Sequence, residues 1–288
     1  MRQKKWDGYM FIMPGFLFFS LFLVYPLLRN LLYSFYDFKL SNLNQAVFVG
    51  LENYSRVFHD LVFWISLKNI IIYGIISVPG QMILGFAAAY ALNRSMGWSK
   101  LFRTLYFLPV VTSWVVASLI FKFIFTDQGL LNYFISDVIH LTDAPISWLS
   151  EPVKAIWVVS LLGVWKGVGW AMVIYLAALQ NVPKELYESA DLDGSSSWQR
   201  IWYITLPCLR STTLFIQIML IIGAFNVFTS VFLITKGGPF HQTEVMLTWM
   251  YQKAFTEYDL GYASALSYVF AVLIALLTLL QFKLNKQD

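Results

Sequence analysis

Six stretches of this chain are long and apolar enough to cross a bilayer as helices, since a bilayer core takes about 20 predominantly apolar residues. Backbone polar groups inside lipid must be hydrogen-bonded within the protein, which leaves helices or closed barrels as spanning structures. The stretches cover about 9–34, 62–92 (or from 69), 101–125, 153–179, 212–235 and 261–284. The sequence therefore predicts an all-α integral membrane protein with six transmembrane helices.

The composition agrees with a membrane protein and excludes a nucleic-acid-binding protein. Hydrophobic residues make up 58% of the chain and charged residues 12%, against roughly 25% charged in a soluble domain. The 11 Trp and 16 Tyr are typical of rings that lie where a bilayer meets water. A net charge of +4, spread along the chain, lacks the basic patch of a nucleic-acid-binding protein. We therefore expect a lipid bilayer as the surroundings and no nucleic-acid partner.

The first apolar stretch has to be weighed against a cleaved signal peptide, because basic residues precede it. It is too long for the apolar core of a signal peptide, Pro26 interrupts it, and no small-residue cleavage site follows. The sequence predicts an uncleaved first span. Pro14, Pro26, Pro79 and Pro109 fall inside or near spans and predict kinks there.

Basic residues decide the sidedness, since Lys and Arg collect in cytoplasmic links. The basic residues before the first span, in the second and fourth links and after the last span are Arg2, Lys4, Lys5, Arg94, Lys100, Arg103, Lys184, Arg200, Arg210, Lys283 and Lys286. The other links carry Asp37, Glu52, Asp60, Asp127, Asp137, Asp143, Glu151, Glu244, Glu257 and Asp259. With six spans, both termini are predicted to be cytoplasmic.

The organisation predicted along the chain is simple. Residues 1–61 hold a cytoplasmic tail, the first span and an external link, and residues 62–284 hold the membrane core. A cytoplasmic loop at 181–211 interrupts that core.

Motifs for catalysis or metal binding are not found in the sequence. It has no phosphate-binding G-x-x-x-x-G-K-[ST] loop, no G-x-S-x-G elbow and no H-E-x-x-H helix. Cys208 is the only cysteine, and we expect its thiol to be inert packing. His241 and Glu244 are three residues apart, too few ligands for a metal site, and we expect an ordinary loop there. The sequence predicts no catalytic residue and no metal site.

Ionisable and polar residues within spans are candidates for function, because lipid makes them costly. Lys122 lies near the end of its span and is expected to reach the interface. Lys166, nearer mid-span, either lines a polar path or pairs with a backbone carbonyl. Gln217 and Asn226 either face a pore or join helices. Residues proposed to line a substrate path are Trp165, Lys166, Trp170, Asn226 and Phe228.

The loop at 181–211 reads as two helices about a glycine corner. Pro183 suits the first helical position, and Gly194 suits a left-handed helix end. Hydroxyls of residues 195–197 can cap a second helix, which Pro207 ends. On that helix Trp198, Ile201, Trp202 and Thr205 share the spacing of one face. From the residues alone, the loop is either a membrane anchor or a docking surface for a cytoplasmic partner.

The same loop resembles the EAA loop of permeases in ABC importers. The matching residues are Glu188-Ser189-Ala190, then Asp193-Gly194, then Ile204-Thr205-Leu206-Pro207, with serine in place of the first alanine. Thr235-Lys236-Gly237-Gly238-Pro239 and Gly261-Tyr262-Ala263-Ser264-Ala265 resemble carbohydrate importers of the maltose and multiple-sugar type. The resemblance covers the whole chain.

This resemblance implies a type-1 importer permease fold in a bacterial plasma or inner membrane. It implies a second permease subunit, two ATPase subunits and an external or periplasmic sugar-binding protein as partners, with ATP and Mg on the ATPase and no cofactor on this chain. The loop would act as a coupling helix seated in the ATPase, moving as the spans alternate in access. The coupling residues that the resemblance implies are Glu185, Glu188, Ser189, Ala190, Asp193, Gly194 and Pro207.

Two other classes of membrane protein are weighed against this one. A secondary transporter or channel without an ATPase predicts paired ionisable groups in mid-membrane, where only Lys166 is a candidate. An intramembrane enzyme predicts a nucleophile and a base within the spans, and no such set is found in the sequence.

Overall fold

The computed structural model describes residues 5–39, 46–93 and 98–285, and most of these residues are helical. The all-α fold class is confirmed. Four of the basic residues used for the sidedness, Arg2, Lys4, Arg94 and Lys286, lie outside the described residues.

The helices have the following bounds: α1 Lys5–Phe19, α2 Tyr25–Tyr33, α3 Glu52–His59, α4 Leu61–Asn93, α5 Ser99–Val111, α6 Trp114–Ile124, α7 Leu130–Asn132, α8 Pro152–Leu179, α9 Lys184–Leu192, α10 Ser197–Arg200, α11 Leu206–Cys208, α12 Arg210–Phe225, α13 Thr229–Ile234, α14 Met246–Tyr251 and α15 Leu260–Asn285. Segments of π-helix lie at Ser20–Val24, Tyr133–Val138, Ile201–Thr205 and Gln252–Thr256. Two short antiparallel strands, β1 Tyr36–Asp37 and β2 Val47–Phe48, pair Tyr36 with Phe48 and Asp37 with Val47.

Four continuous helical segments among the described residues are long and apolar enough to cross a membrane. They are Tyr9–Tyr33, Leu61–Asn93, Pro152–Leu179 and Leu260–Gln281. Two bent pairs, Ser99–Val111 with Trp114–Ile124 and Ser197–Cys208 with Arg210–Phe225, bring the count to six if each pair is one span. The chain is a multi-pass membrane protein.

Two of the predicted spans are broken. The third turns through 95° between α5 and α6, where Thr112 and Ser113 take extended backbone conformations. The fifth is interrupted after α12, and α13 begins only at Thr229. Hydropathy does not report such breaks, because the half-helices on both sides are apolar.

Prolines in the spans act in different ways. Pro79 lies inside α4, and this helix of 33 residues is continuous through it. Pro26 lies two residues after the π-helical turn Ser20–Val24, where the widened hydrogen-bond pattern accommodates a residue without an N–H. Pro109 lies two residues before the end of α5.

The chain packs as two compact units, each described by itself. The first is Met1–Phe63 with Trp249–Ala275, and the second is Trp64–Thr248 with Leu276–Asp288. The sequence predicts a division at residue 61 and places α15 in the membrane core. In the structure, the part of α15 up to Ala275 groups with the N-terminal unit.

Asp60 organises the polar interior of the first unit. Its Oδ2 accepts hydrogen bonds from Trp249 Nε1 at 2.9 Å and Tyr262 Oη at 2.5 Å, and its Oδ1 accepts one from the backbone N–H of Val62 at 2.8 Å. Arg56 pairs with Asp259 at 2.7 Å. The external link is therefore fixed to α14 and α15 by partly buried charge-assisted bonds.

Apolar side chains form the core of the second unit. Ala89, Met172 and Leu209 are among its most buried members, and they come from α4, α8 and the residue between α11 and α12. Leu179 and Val182 extend this core to the start of the 181–211 loop. The core thus includes residues near both ends of the loop, Val182 and Leu209.

Candidate functional site

The glycine corner of the 181–211 loop is a complete helix C-cap. Gly194 has φ +71°, its N–H donates to the carbonyl of Asp191 at 3.1 Å, and the N–H of Ser195 donates to that of Ala190 at 3.0 Å. These two bonds make a Schellman motif, in which the left-handed residue is most often glycine. The predicted corner at Gly194 is confirmed.

A capping box starts the second helix of the loop. Ser196 Oγ accepts from the N–H of Gln199 at 3.3 Å, and the Gln199 side chain accepts from the N–H of Ser196 at 2.7 Å. The prediction that hydroxyls at 195–197 cap this helix is confirmed.

Both prolines of the loop differ from their predicted roles. Pro183 is the residue before α9, which begins at Lys184. Pro207 does not end the second helix, which continues to Cys208 before a 71° bend into α12. The π-helical turn Ile201–Thr205 precedes Pro207, and this turn accommodates the missing N–H.

The same π-helical turn shifts the face of the second helix. Thr205 is fully buried, whereas Trp198 and Trp202 are 70% and 61% exposed. The predicted common face is therefore wrong for Thr205, whereas Trp198 and Trp202 are both exposed. Cys208 is exposed, so the prediction of an inert packed thiol is also wrong.

Two side-chain contacts join the helices of the loop. Arg200 forms a salt bridge with Asp191, and Tyr187 Oη lies 3.0 Å from Thr205 Oγ1. Tyr187 also packs against the core cluster that contains Val182 and Leu209. The loop is therefore held as one piece and seated on the spans.

The coupling residues named from the resemblance lie mostly on the outer surface of this piece. Glu185, Glu188, Ser189, Asp193, Gly194 and Pro207 are exposed, and Ala190 is half-buried. Sequence reasoning missed Leu192, which is 91% exposed beside the glycine corner. In the sequence Leu192 stands between Asp191 and Asp193, and an apolar residue flanked by carboxylates was the available signal.

A cleft of about 240 Å³ lies within the second unit, among α4, α5, α6, α8 and α12. Its polar and aromatic lining comes from Tyr73, Ser77, Gln81, Trp114, Lys166 and Trp170. Gly163 and Gly167 open one side of α8, since a Cβ at either would overlap Tyr73 or Gln81. The G-x-x-x-G spacing is typical of close helix packing in membranes and could have indicated this approach.

Lys166 is 5% exposed, and its ammonium group is saturated by backbone oxygens. Nζ donates to the carbonyls of Thr112 at 2.6 Å, Pro109 at 2.9 Å and Val110 at 3.3 Å. Of the two roles left open by the sequence, the structure shows the pairing with carbonyls, at the edge of the cleft. Lys122 Nζ likewise donates to the carbonyl of Leu233 at 3.2 Å, where we expected it to reach the interface.

The other residues predicted to line a substrate path are not gathered in this cleft. Trp170 lines it, but Trp165 lines a separate apolar groove of about 760 Å³ among α4, α5 and α8. The side chain of Asn226 donates to the carbonyl of Ile222 at 2.8 Å, and Phe228 stacks on Phe232. Tyr73, Gln81 and Trp114 are the cleft residues that sequence reasoning missed.

The loop after α13 contains a buried carboxylate. Glu244 is 1% exposed, with His241 Nδ1 at 3.1 Å from Oε1 and a hydrogen bond from Thr248 to Oε2. Asn69 on α4 donates to the carbonyls of Gln242 and Glu244, each at 2.8 Å. The segment is a loop, as expected, and these hydrogen bonds fix it to α4. Within the described ranges, no group of three or more metal-ligating side chains is found.

A family comparison matches most of the second unit. Residues 81–286 match the family described as "Binding-protein-dependent transport system inner membrane component".

Individual proteins match nearly the whole chain. The probable ABC transporter permease protein YurN of Bacillus subtilis (strain 168) is 36% identical, over 99% of this chain and 98% of its own length. The lactose transport system permease protein LacF of Rhizobium radiobacter is 35% identical, over 98% and 94%. A bacterial alginate ABC transporter, solved in complex with an alginate pentasaccharide-bound periplasmic protein, shares the fold with a TM-score of 0.84 at 22% identity, over 98% and 94%.

Proposed function

This chain belongs to the family of binding-protein-dependent transport system inner membrane components, whose members are transport subunits and not enzymes, and we propose that it carries a neutral sugar across the bacterial cell membrane in an ATP-driven importer. The resemblance seen in the EAA loop agrees with this family. The membrane is the plasma or inner membrane, and the complete importer includes other subunits.

The coupling part of the proposal rests on the structure of the 181–211 loop. Its corner is capped at Gly194, its helices are tied by Arg200 and Tyr187, and its base packs on the spans. Its outer surface, with Glu188 and Leu192, packs against no part of the described chain. A rigid piece seated on the spans and exposed on its other side suits a lever that another protein moves.

The proposed partners follow from that lever and from the family description. Two ATPase subunits receive the coupling loops of this chain and of a second permease, and a sugar-binding protein delivers the substrate. ATP and Mg²⁺ belong to the ATPase subunits and supply the energy there. This chain contributes the path and the lever, so that ATP binding favours one arrangement of the spans over the other.

The cleft supports a neutral substrate. The described lining has no carboxylate, and the ammonium of Lys166 is already bonded to three carbonyls. The remaining groups are the aromatic rings of Trp114 and Trp170, the amide of Gln81 and hydroxyls, which suit the apolar faces and hydroxyl edges of a sugar. The lactose permease among the relatives is named for such a substrate, whereas the transporter of known structure imports an acidic polysaccharide.

The intramembrane lysines also bear on the alternative of a transporter without an ATPase. Lys166 and Lys122 each bond to backbone carbonyls of this chain. Ion coupling needs an ionisable group that can change its charge or its ion during the cycle, and neither lysine is arranged for that exchange.

Co-purification tests the coupling proposal. Leu192→Glu and Glu188→Lys change exposed side chains at the corner, so we expect normal membrane insertion but loss of most of the bound ATPase and of uptake. Leu141→Glu is the control, because Leu141 is 74% exposed outside this loop and should leave binding unchanged. Full ATPase binding and uptake in both loop variants would overturn the proposal.

Competition for uptake tests the substrate class. We expect neutral di- and oligosaccharides to compete with transport and uronic-acid oligosaccharides of the same length not to compete. Trp170→Ala should raise the half-saturating sugar concentration for the assembled transporter about tenfold, the effect of losing one stacking contact. Efficient competition by the acidic series alone would contradict a neutral substrate.

A further inference from the structure

We propose that Lys166 is a positioning residue that stabilises the bent form of the third span, α5–α6, and thereby sets the balance between its bent and straight forms. The consequence for transport rests on the function proposed above, whereas the effect on the bend does not.

The bend leaves carbonyls without helical partners. In an unbroken α-helix the carbonyl of residue i accepts from the N–H of residue i+4. After α5 ends at Val111, the last four carbonyls lose those partners. Lys166, from α8, supplies donors to three oxygens of this region, those of Pro109, Val110 and Thr112.

Two bonds local to the break support the bent form as well. Thr112 Oγ1 donates to the carbonyl of Pro109 at 2.5 Å, and Ser113 Oγ accepts from the N–H of Val115 at 3.2 Å as the N-cap of α6. Both are weaker than bonds to an ammonium, because neither partner is charged.

The ammonium and the backbone amides compete for the same acceptors. If the span straightened, the carbonyls of Pro109, Val110 and Thr112 would accept from the N–H groups four residues later, at positions 113, 114 and 116. The Lys166 ammonium, which is almost wholly buried, would then compete with a backbone amide for each of its three partners. A buried charge without partners is strongly disfavoured, so Lys166 biases the span towards the bend.

The same contact reaches the cleft. Lys166 Nζ lies 4.9 Å from the centre of the Trp114 ring, and Trp114 is the first residue of α6 and lines the cleft. Straightening would carry Trp114 away with α6. The bend therefore also decides whether this ring faces the substrate path.

Lys122 offers a matched control within the same chain. Its Nζ donates to the carbonyl of Leu233 near the end of α13, so its removal also deletes an ammonium bonded to a carbonyl. Its acceptor, however, is not at the break between α5 and α6.

Distances between spin labels test the proposal in the full chain in nanodiscs, with any co-purifying subunits. Nitroxides at Leu101→Cys and Phe123→Cys, in a Cys208→Ser background, should be about 20 Å apart in the bent form and about 33 Å apart in a straight helix. We expect Lys166→Met to raise the ratio of long to short distances about tenfold, because it deletes the charged donor. Lys166→Arg should restore the short distance, and Lys122→Met should match the parent chain.

Lys166→Gln covers a failure of the methionine variant to insert. It is neutral but keeps two donors, so its distance ratio should lie between those of the parent and the methionine variant. An unchanged distance distribution in every neutral Lys166 variant that inserts would overturn the proposal.

Sugar taken up per ATP hydrolysed separates positioning from a structural role or a direct role in binding. We expect the ratio to fall in Lys166→Met and to recover in Lys166→Arg, together with the distances. A fall in this ratio with unchanged distances would mean that Lys166 acts on the substrate, which also overturns the proposal. If no ATPase or uptake is found, the proposed function fails, and the distances still test the bend.

Discussion

Single residues set the path of the backbone where the helices end. Gly194 does so at the corner of the 181–211 loop, the proposed coupling loop. Nothing lies within 4 Å of a Cβ built on Gly194, whereas its φ is +71°. The requirement for glycine is therefore conformational and not one of space. A residue with a Cβ pays about 1–2 kcal/mol in this left-handed region.

We expect Gly194→Ala to weaken the corner by that amount, a roughly 5- to 30-fold shift towards other conformations. Uptake should fall in Gly194→Ala and fall less in Gly194→Asn, since asparagine tolerates left-handed backbone better. Gly15→Ala is the control, because Gly15 also has open space around it but lies inside α1. Equal uptake in the alanine and asparagine variants would argue against a conformational cause.

Asp60 is the residue on which the polar interior of the first unit depends. Removing its carboxylate leaves Trp249 Nε1 and Tyr262 Oη, on residues only 4% and 3% exposed, without that acceptor. The loss of an acceptor by a buried donor lowers the free energy of unfolding by about 1–3 kcal/mol. We expect Asp60→Ala to lower the thermal unfolding midpoint clearly in a thermal-shift measurement.

Glu151→Ala provides the comparison for Asp60. Glu151 pairs with Lys154, but both side chains are well exposed, so the pair contributes about 0–1 kcal/mol. Its midpoint should stay near that of the parent. Equal losses in the two variants would mean that the partners of Asp60 find water or other acceptors.

At the scale of elements, the spans could be predicted from the sequence, but their breaks could not. The apolar lengths of α4, α8 and α15 fix the bounds to within a few residues. The 95° turn after α5 depends on Lys166, 54 residues beyond Thr112 in sequence. The order around Glu244 depends likewise on Asn69, 175 residues away. Local patterns carry no information on such distant partners.

Some features of the coupling loop could likewise be predicted from the sequence, and others could not. Its corner and caps involve neighbours in sequence, so glycine and serine preferences predict them. The π-helical turn before Pro207 and the seating of Tyr187 on the core depend on packing. The sequence therefore predicted where the loop turns but not which of its faces is buried.

Tyr187 is expected to transmit motion from the coupling loop to the spans, because it contacts both Thr205 and the core cluster. Tyr187→Phe removes one hydrogen bond, about 1 kcal/mol, and keeps the packing. Tyr187→Ala removes the packing too, so we expect ATP hydrolysis to continue with several-fold less sugar carried per ATP. Tyr133→Ala controls for loss of an exposed tyrosine elsewhere. An unchanged ratio in Tyr187→Ala would exclude this route of coupling.

For the whole molecule, the sidedness is the property on which every proposed partner depends. In the proposed assembly the 181–211 loop faces the ATPase subunits, and the opposite links face the sugar-binding protein. The prediction comes from the distribution of basic residues, which acts during insertion through the charge of short links. It puts both termini and the 181–211 loop on the cytoplasmic side and predicts that the loop after α13 is outside.

The exposed thiol of Cys208 makes this sidedness measurable without altering the chain, since Cys208 is its only cysteine. We expect a membrane-impermeant maleimide to label Cys208 in inverted vesicles stripped of ATPase subunits, and not in intact right-side-out vesicles. Phe240→Cys with Cys208→Ser should show the reverse pattern, because Phe240 is 91% exposed in the loop after α13. The Cys208→Ser chain alone should take up no label. Labelling of Cys208 from the outside would place the coupling loop beyond reach of any cytoplasmic ATPase, and the whole assembly proposed for this permease would then be wrong.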